Sequence, residues 1–197
     1  MTFVAVSQGA VVVDTLGPGN TYAQSSGFAV SGPSSSLGNT FESASEFVAA
    51  AGGTLTQIDL GLTLVDGGSV NVYLYGDAGG SPDNLSQILL GNVTPTQVFG
   101  TTNNSIVSFV PAGNVSVNLG TTYWLVLKPG TDSTRDDWNQ SLTATGVQMV
   151  AQGDGNWIQS NTILSAYRII AVPEPSPIVL TIAGLVLLAF VLKPRRA

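Results

Sequence analysis

Cysteine and histidine are both absent from these 197 residues, and charged side chains occupy only 9% of positions. Without cysteine there is no disulfide framework, no thiolate metal site and no cysteine nucleophile. Without histidine the commonest general base is missing, which excludes Ser-His-Asp and Cys-His machinery. Six cations against twelve anions set a net charge of −6. So acidic a balance with so few cations argues against nucleic acid, whose phosphates demand clustered Lys and Arg. The length is that of one domain, large enough to bury a core unaided by disulfides or metals.

The few charges are unevenly placed. Lys193, Arg195 and Arg196, half of all the cations, lie in the last five residues. Residues 1–172 keep Lys128, Arg135 and Arg168 against eleven anions, a net of −8, whereas residues 173–197 carry the other three cations and Glu174, a net of +2. Fourteen charges in the first 172 residues fall far below the roughly 25–35% expected on a small domain's surface. Ser, Thr, Asn, Gln and Gly must cover that surface instead, a composition commoner in exported β proteins than in cytosolic enzymes.

The last segment has three parts in order. Pro173-Glu174-Pro175-Ser176-Pro177 holds the chain extended. Ile178 to Leu192 follows, fifteen residues with no charge and with Thr181 as the one polar side chain. Eleven of them are Leu, Ile, Val or Phe, each favouring insertion by about 0.3–0.6 kcal/mol near a helix centre. A helix of this length rises about 22 Å, short of the ~30 Å hydrocarbon core. Snorkelling by Lys193, Arg195 and Arg196 and local thinning absorb the difference. The alternative is a buried core helix, but Ile178, Leu180, Ile182, Leu185, Leu188, Phe190 and Leu192 leave no polar face. We expect a short transmembrane helix over 178–192, with the basic cluster cytoplasmic and residues 1–172 outside.

The ordered composite of Val172-Pro173-Glu174-Pro175, a short apolar helix and a terminal basic cluster resembles the PEP-CTERM sorting signal of Gram-negative bacteria. The resemblance covers residues 173–197. It implies recognition by an exosortase, a membrane-embedded cysteine transpeptidase-like enzyme, at Pro173, Glu174 and Pro175. It also implies removal of the helix and passage from the inner membrane to the cell surface or extracellular matrix, beside exopolysaccharide and biofilm systems. Export needs an N-terminal signal, yet residues 1–10 (MTFVAVSQGA) have no basic start and too short an apolar run. They read as the remnant of a signal peptide whose start lies upstream, or as an edge strand.

Residues 11–172 read as one antiparallel β domain, a sandwich or jelly roll. Ile58, Leu60, Leu62 and Leu64 alternate with Asp59, Gly61 and Thr63, which predicts one buried face. Asp66-Gly67-Gly68 then turns the chain into Val70, Val72 and Leu74, with Asn71, Tyr73 and Tyr75 opposite. Further strands are predicted at 86–91, 105–110, 113–119, 121–128, 146–151 and 163–170, with turn signals at the spacing such folds require. Residues 41–51, with Glu42, Glu46 and an alanine run, read as ambiguous with a short helical turn. The stretch from Val70 to Asp77, the following Gly79-Gly80-Ser81-Pro82, Tyr123 to Leu127, and Trp138 together resemble the choice-of-anchor family of exported β-sandwich domains. That resemblance spans roughly residues 40–170 and implies a surface domain with no catalytic residues to carry over.

Three groups of side chains are weighed as sites. Asp132, Asp136 and Asp137 offer carboxylates for glycoside hydrolysis, which needs two acids at a set separation; as sequence neighbours they read as solvated loop residues. Asp154-Gly155-Asn156, and Asp77 with Asp83, echo calcium loops but lack the ligand ladder of an EF-hand, and turn formation explains them better. Among the tryptophans, Trp124 reads as core, whereas Trp138 and Trp157 sit in polar, turn-like contexts and are offered as glycan-stacking residues. No metal or cofactor is expected. The sequence thus points to a non-enzymatic exported surface protein linked to exopolysaccharide, with a secreted carbohydrate-binding module as the alternative and a glycosidase using Asp136 or Asp137 as a remote one.

Overall fold

The computed structural model describes residues 8–153 and 156–174. They form thirteen strands: β1 (Ala10–Asp14), β2 (Gly27–Ser31), β3 (Phe41–Val48), β4 (Gly53–Leu60), β5 (Leu62–Gly67), β6 (Val70–Asp77), β7 (Pro82–Val93), β8 (Val107–Phe109), β9 (Ser116–Val117), β10 (Thr122–Pro129), β11 (Arg135–Gln152), β12 (Trp157–Ser165) and β13 (Tyr167–Val172). All named strand pairs are antiparallel. No helix among the described residues is long and apolar enough to cross a membrane. The expected span over 178–192, with Pro175 and the basic cluster, lies outside the described residues, as do residues 1–7. β1 begins at Ala10, as an edge strand of the smaller sheet.

Two sheets face each other. The smaller runs β1-β13-β4-β8, with β9 also paired to β4; the larger runs β12-β11-β2-β3-β10-β6-β7, with β5 added against β11. Between them lies the main core, where Val12, Leu55, Ile58, Ile169 and Ala171 of the smaller sheet meet Val30, Phe47, Val72, Leu74, Leu125, Leu127 and Trp138 of the larger. The period-two patterns of β6 and β10 place these residues on one face. The architecture expected for residues 11–172 is therefore the one observed.

Four local expectations are corrected. Residues 41–48 are extended and form β3, hydrogen-bonded on both sides by β10 and β11. The alternating run from Ile58 to Leu64 is two strands, because Gly61 carries the chain from the smaller sheet into the larger. A Cβ there would lie 3.0 Å from both the Ala166 methyl and the Tyr22 ring, so only glycine lets the backbone cross so closely. The Asp66-Gly67-Gly68 turn joins β5 to β6, yet these pair with different neighbours, β11 for one and β10 and β7 for the other. Asp59, expected on an outer face, is buried. Its Oδ2 accepts from Arg168 Nε at 2.9 Å and Nη2 at 2.6 Å, and its Oδ1 from Gln57 and Ser108 at 2.7 Å each.

The eighteen residues of β11 serve two neighbourhoods. Its first part, Arg135 to Asn139, lies between β2 and β5, while Gln148 to Gln152 pairs with β3 and the strand's second half also pairs with β12. Register shifts along β11 and β12 increase the local twist. The larger sheet consequently curls away from the smaller one, and its far face becomes concave.

Candidate functional site

The concave face is built from alternate residues of β3, β10, β6, β11 and β12. Ala44, Tyr75, Trp124, Val126 and Met149 form its buried floor, with Tyr73, Val147 and Trp157 packed against them. Register aligns them in rows: Glu46, Trp124, Tyr75 and Gln87 across β3, β10, β6 and β7, and Met149, Ala44, Val126 and Tyr73 across β11, β3, β10 and β6. The two ends of the sheet meet over this floor. Trp157 of β12 donates its Nε1–H to Asn84 Oδ1 of β7 at 3.3 Å. Asn84 also lines a cleft of about 380 Å³, together with Thr40, Glu42, Tyr75, Gln87, Lys128 and Gly153. That volume is within the range of small-molecule sites.

An ion pair and an aromatic pair organise the cleft. Lys128 Nζ lies 3.1 Å from Glu42 Oε2, and 5.5 Å and 5.9 Å from the ring centres of Tyr75 and Tyr73. The two tyrosine rings pack edge to face, centres 6.0 Å apart. Burial alone would lower the Lys128 pKa, but the Tyr75 hydroxyl and the Glu42 carboxylate outweigh it and hold the ammonium above its ordinary value. Burial pushes the Tyr75 phenol up against the opposing pull of Lys128. Tyr75 also donates to Gln87 Oε1 at 2.8 Å. At the end of the same face Trp124 Nε1 donates to Asp77 Oδ1 at 2.9 Å, and the same carboxylate accepts from the Gly80 amide. This explains Asp77 as the organiser of its turn. Among the described residues no three acidic side chains group as a metal site.

The sequence-derived site residues are dispersed. Trp157 stands beside the cleft, half-buried, in a strand rather than a turn. Trp138 does not: its ring is wholly buried between the sheets, 5.5 Å from the Tyr167 ring centre, and its Nε1 donates to the Ala166 carbonyl. A ring with no exposed face cannot stack on a sugar, so Trp138 is corrected to a core residue. Trp124 is core as expected.

The aspartates are corrected likewise. Asp132 is exposed in a loop, but Asp136 and Asp137 are buried inside β11. Successive strand residues point to opposite faces, so the two carboxyls do not converge on one substrate. Asp137 pairs with Arg135 at 2.7 Å. Neither oxygen of Asp136 makes a hydrogen bond of full geometry. Burial pushes its pKa up to about 7, the Val65 backbone easing this and Asp137 adding to it. Asp154 and Gly155 lie outside the described residues. Of the three residues expected to form a sorting motif, Pro173 and Glu174 are described: both are exposed, directly after β13, in a groove with Gly52, Gly53 and Ser116 to Leu119.

The cleft's Glu42, Asn84, Gln87 and Lys128 carried no signal of their own in the sequence. A partial one existed in parity: Lys128 shares a face with Trp124 and Val126, and Tyr73 and Tyr75 lie opposite the core residues of β6.

No family model matches the chain, and no curated protein does. Among solved structures, the cysteine protease and lectin-like domains of Cwp84, a surface-layer-associated protein of Clostridium difficile, align at a TM-score of 0.50 and 14% identity. That alignment covers 68% of this chain and 32% of that one. A second structure, of the clostridial cysteine protease Cwp84 after propeptide cleavage, aligns with the same score, identity and share of this chain, and over 36% of its own length. The chain thus spans about a third of the length of these neighbours, and the likeness is one of fold.

Proposed function

We propose that this chain is an exported surface protein of a Gram-negative bacterium. Residues 178–192 hold it in the inner membrane, and an exosortase acting at Pro173, Glu174 and Pro175 passes it to the surface or extracellular matrix, where the β-sandwich works without catalysis beside exopolysaccharide. The observation that carries this reading is the ordered composite of residues 173–197. The exposure of Pro173 and Glu174 just beyond the last strand supports it, since a processing enzyme must grip extended chain. The test is the intact mass and cell fraction of the protein with and without an active sorting enzyme. The expected surface form lacks residues 178–197; a surface form that retains them sinks the processing claim.

A second reading, carbohydrate binding, is favoured by one observation: the aromatic-floored cleft beside Trp157. Likeness in fold to a chain with a lectin-like domain is in keeping with it. Binding on a glycan array that is lost when Trp157 is replaced by alanine, with the fold intact, supports this reading. Array binding indifferent to Trp157 removes its motivation.

A further inference from the structure

We infer that the concave cleft takes an uncharged sugar unit and rejects acidic polysaccharides; this rests on the carbohydrate-binding reading and specifies its ligand class. Charge and hydrogen-bond valence decide between the two classes. Of the three cations in residues 1–172, Arg135 is committed to Asp137 and Arg168 to Asp59. Lys128 alone faces the cleft, and Glu42 already neutralises it at 3.1 Å. The other charges described on the strands that build this face are negative: Glu46 in the row of Trp124 and Tyr75, Asp77 at the end of β6 and Asp83 at the start of β7. A uronate or sulfate entering here must take Lys128 from Glu42 and leave a buried carboxylate without its counter-ion.

An uncharged sugar leaves the pair intact. The Lys128 ammonium keeps its ion pair with Glu42 and, lining the cleft, can still donate to a ligand hydroxyl. The Thr40 hydroxyl and the Gln87 amide line the same space and offer both donors and acceptors. Trp157, half-buried against the floor and bonded to the lining residue Asn84, is the aromatic side chain beside the cleft that a pyranose extending from it would meet. At about 380 Å³ the cleft is near the small end for such sites, suited to a short stretch of a longer polysaccharide.

The test is affinity electrophoresis of the full chain in a sugar-free detergent, through gels containing dextran, galactomannan, alginate or polygalacturonate, at low and high salt. Retardation by a neutral polysaccharide, insensitive to salt and absent with the acidic two, is the expected result. Gln87→Ala, on the exposed edge strand, is expected to weaken it at least tenfold in protein that urea unfolding shows to be still cooperatively folded, and Trp157→Ala to do the same. Salt-sensitive retardation by the acidic gels alone overturns the inference while the carbohydrate reading stands. Neutral binding that Gln87→Ala leaves unchanged places the ligand elsewhere and also overturns it. No retardation in any gel overturns both.

Discussion

Replacing Asp136 by asparagine is expected to make this protein more stable above neutral pH. The carboxyl is fully shielded in β11, neither oxygen has a hydrogen bond of full geometry, and its pKa rises from an ordinary 3.8 to about 7. Between those pH values the folded chain holds a proton that the unfolded chain has released. The slope of unfolding free energy with pH is then negative, about 1.36 kcal/mol per pH unit. Asp136 thus contributes its full stability below about pH 4 and loses roughly 4 kcal/mol as pH rises to 7, with no further change above. An asparagine side chain cannot ionise, so Asp136→Asn removes this loss. Urea unfolding followed by tryptophan fluorescence at pH 4.5, 6 and 8 reads it. The difference between variant and wild type cancels other groups, such as Glu46, raised first by burial and then by Asp77, and Asp59, which shifts the other way. The difference should grow steadily in favour of the variant and level off near pH 7. A difference that is flat with pH, or a variant less stable at pH 8 than at pH 4.5 relative to wild type, refutes the account.

Arg168→Gln strips the counter-ion from buried Asp59 and is expected to cost about 3 kcal/mol, the low end for a broken buried pair because a quarter of the Arg168 side chain is exposed; urea midpoints measure it. Burial opposes the lowering of the Asp59 pKa, but bonds from Ser108, Gln57 and Arg168 outweigh it. The stability this carboxylate adds is therefore present above its unfolded pKa and disappears as pH falls through its folded one, and an acid titration of Asp59→Asn should lack that step. Gly53→Ala places a Cβ against the Val172 carbonyl and Pro173 at a φ of 138°; a loss of about 2 kcal/mol is expected, read as a fall in Tm of about 4–8 °C. Trp138→Ala should destabilise by about 3–5 kcal/mol as a core truncation, yet leave glycan affinity unchanged in protein that remains folded, the reverse of what Trp157→Ala does.

The sandwich was legible where period two ran undisturbed. In β6 Val70, Val72 and Leu74 alternate with Asn71, Tyr73 and Tyr75, and the core face followed directly. β11 was half hidden because its first residues, Asp136-Asp137-Trp138-Asn139, look like a polar loop; the sheet ladder and the Asp137–Arg135 pair make their burial tolerable. In β3, Ser43, Ala44 and Ser45 between two glutamates carry too little size contrast to separate strand from helical turn. The Gly61 crossing is set by contact with Tyr22 and Ala166, residues far away in the chain. The cleft was the least legible feature. Its residues come from β3, β6, β7, β10 and the end of β11, and only the curl of the sheet brings them together. Of two tryptophans in similar sequence contexts, pairing put one in the core and the other at the rim.

β13 ends at Val172 and the segment proposed as a sorting signal starts at the next residue, while β13 itself is hydrogen-bonded on both flanks, to β1 and to β4. If the chain is held through residues 173–197 as proposed, a pull there loads two ladders at once, lengthwise, so that many hydrogen bonds must yield together. Resistance of this kind is set by the unfolding rate rather than by equilibrium stability. The cleft opens on the opposite sheet, so tension between a tether and a captured polysaccharide would cross the whole core. On that reading the domain is suited to act as a mechanical link, loaded through a strand that is paired on both flanks.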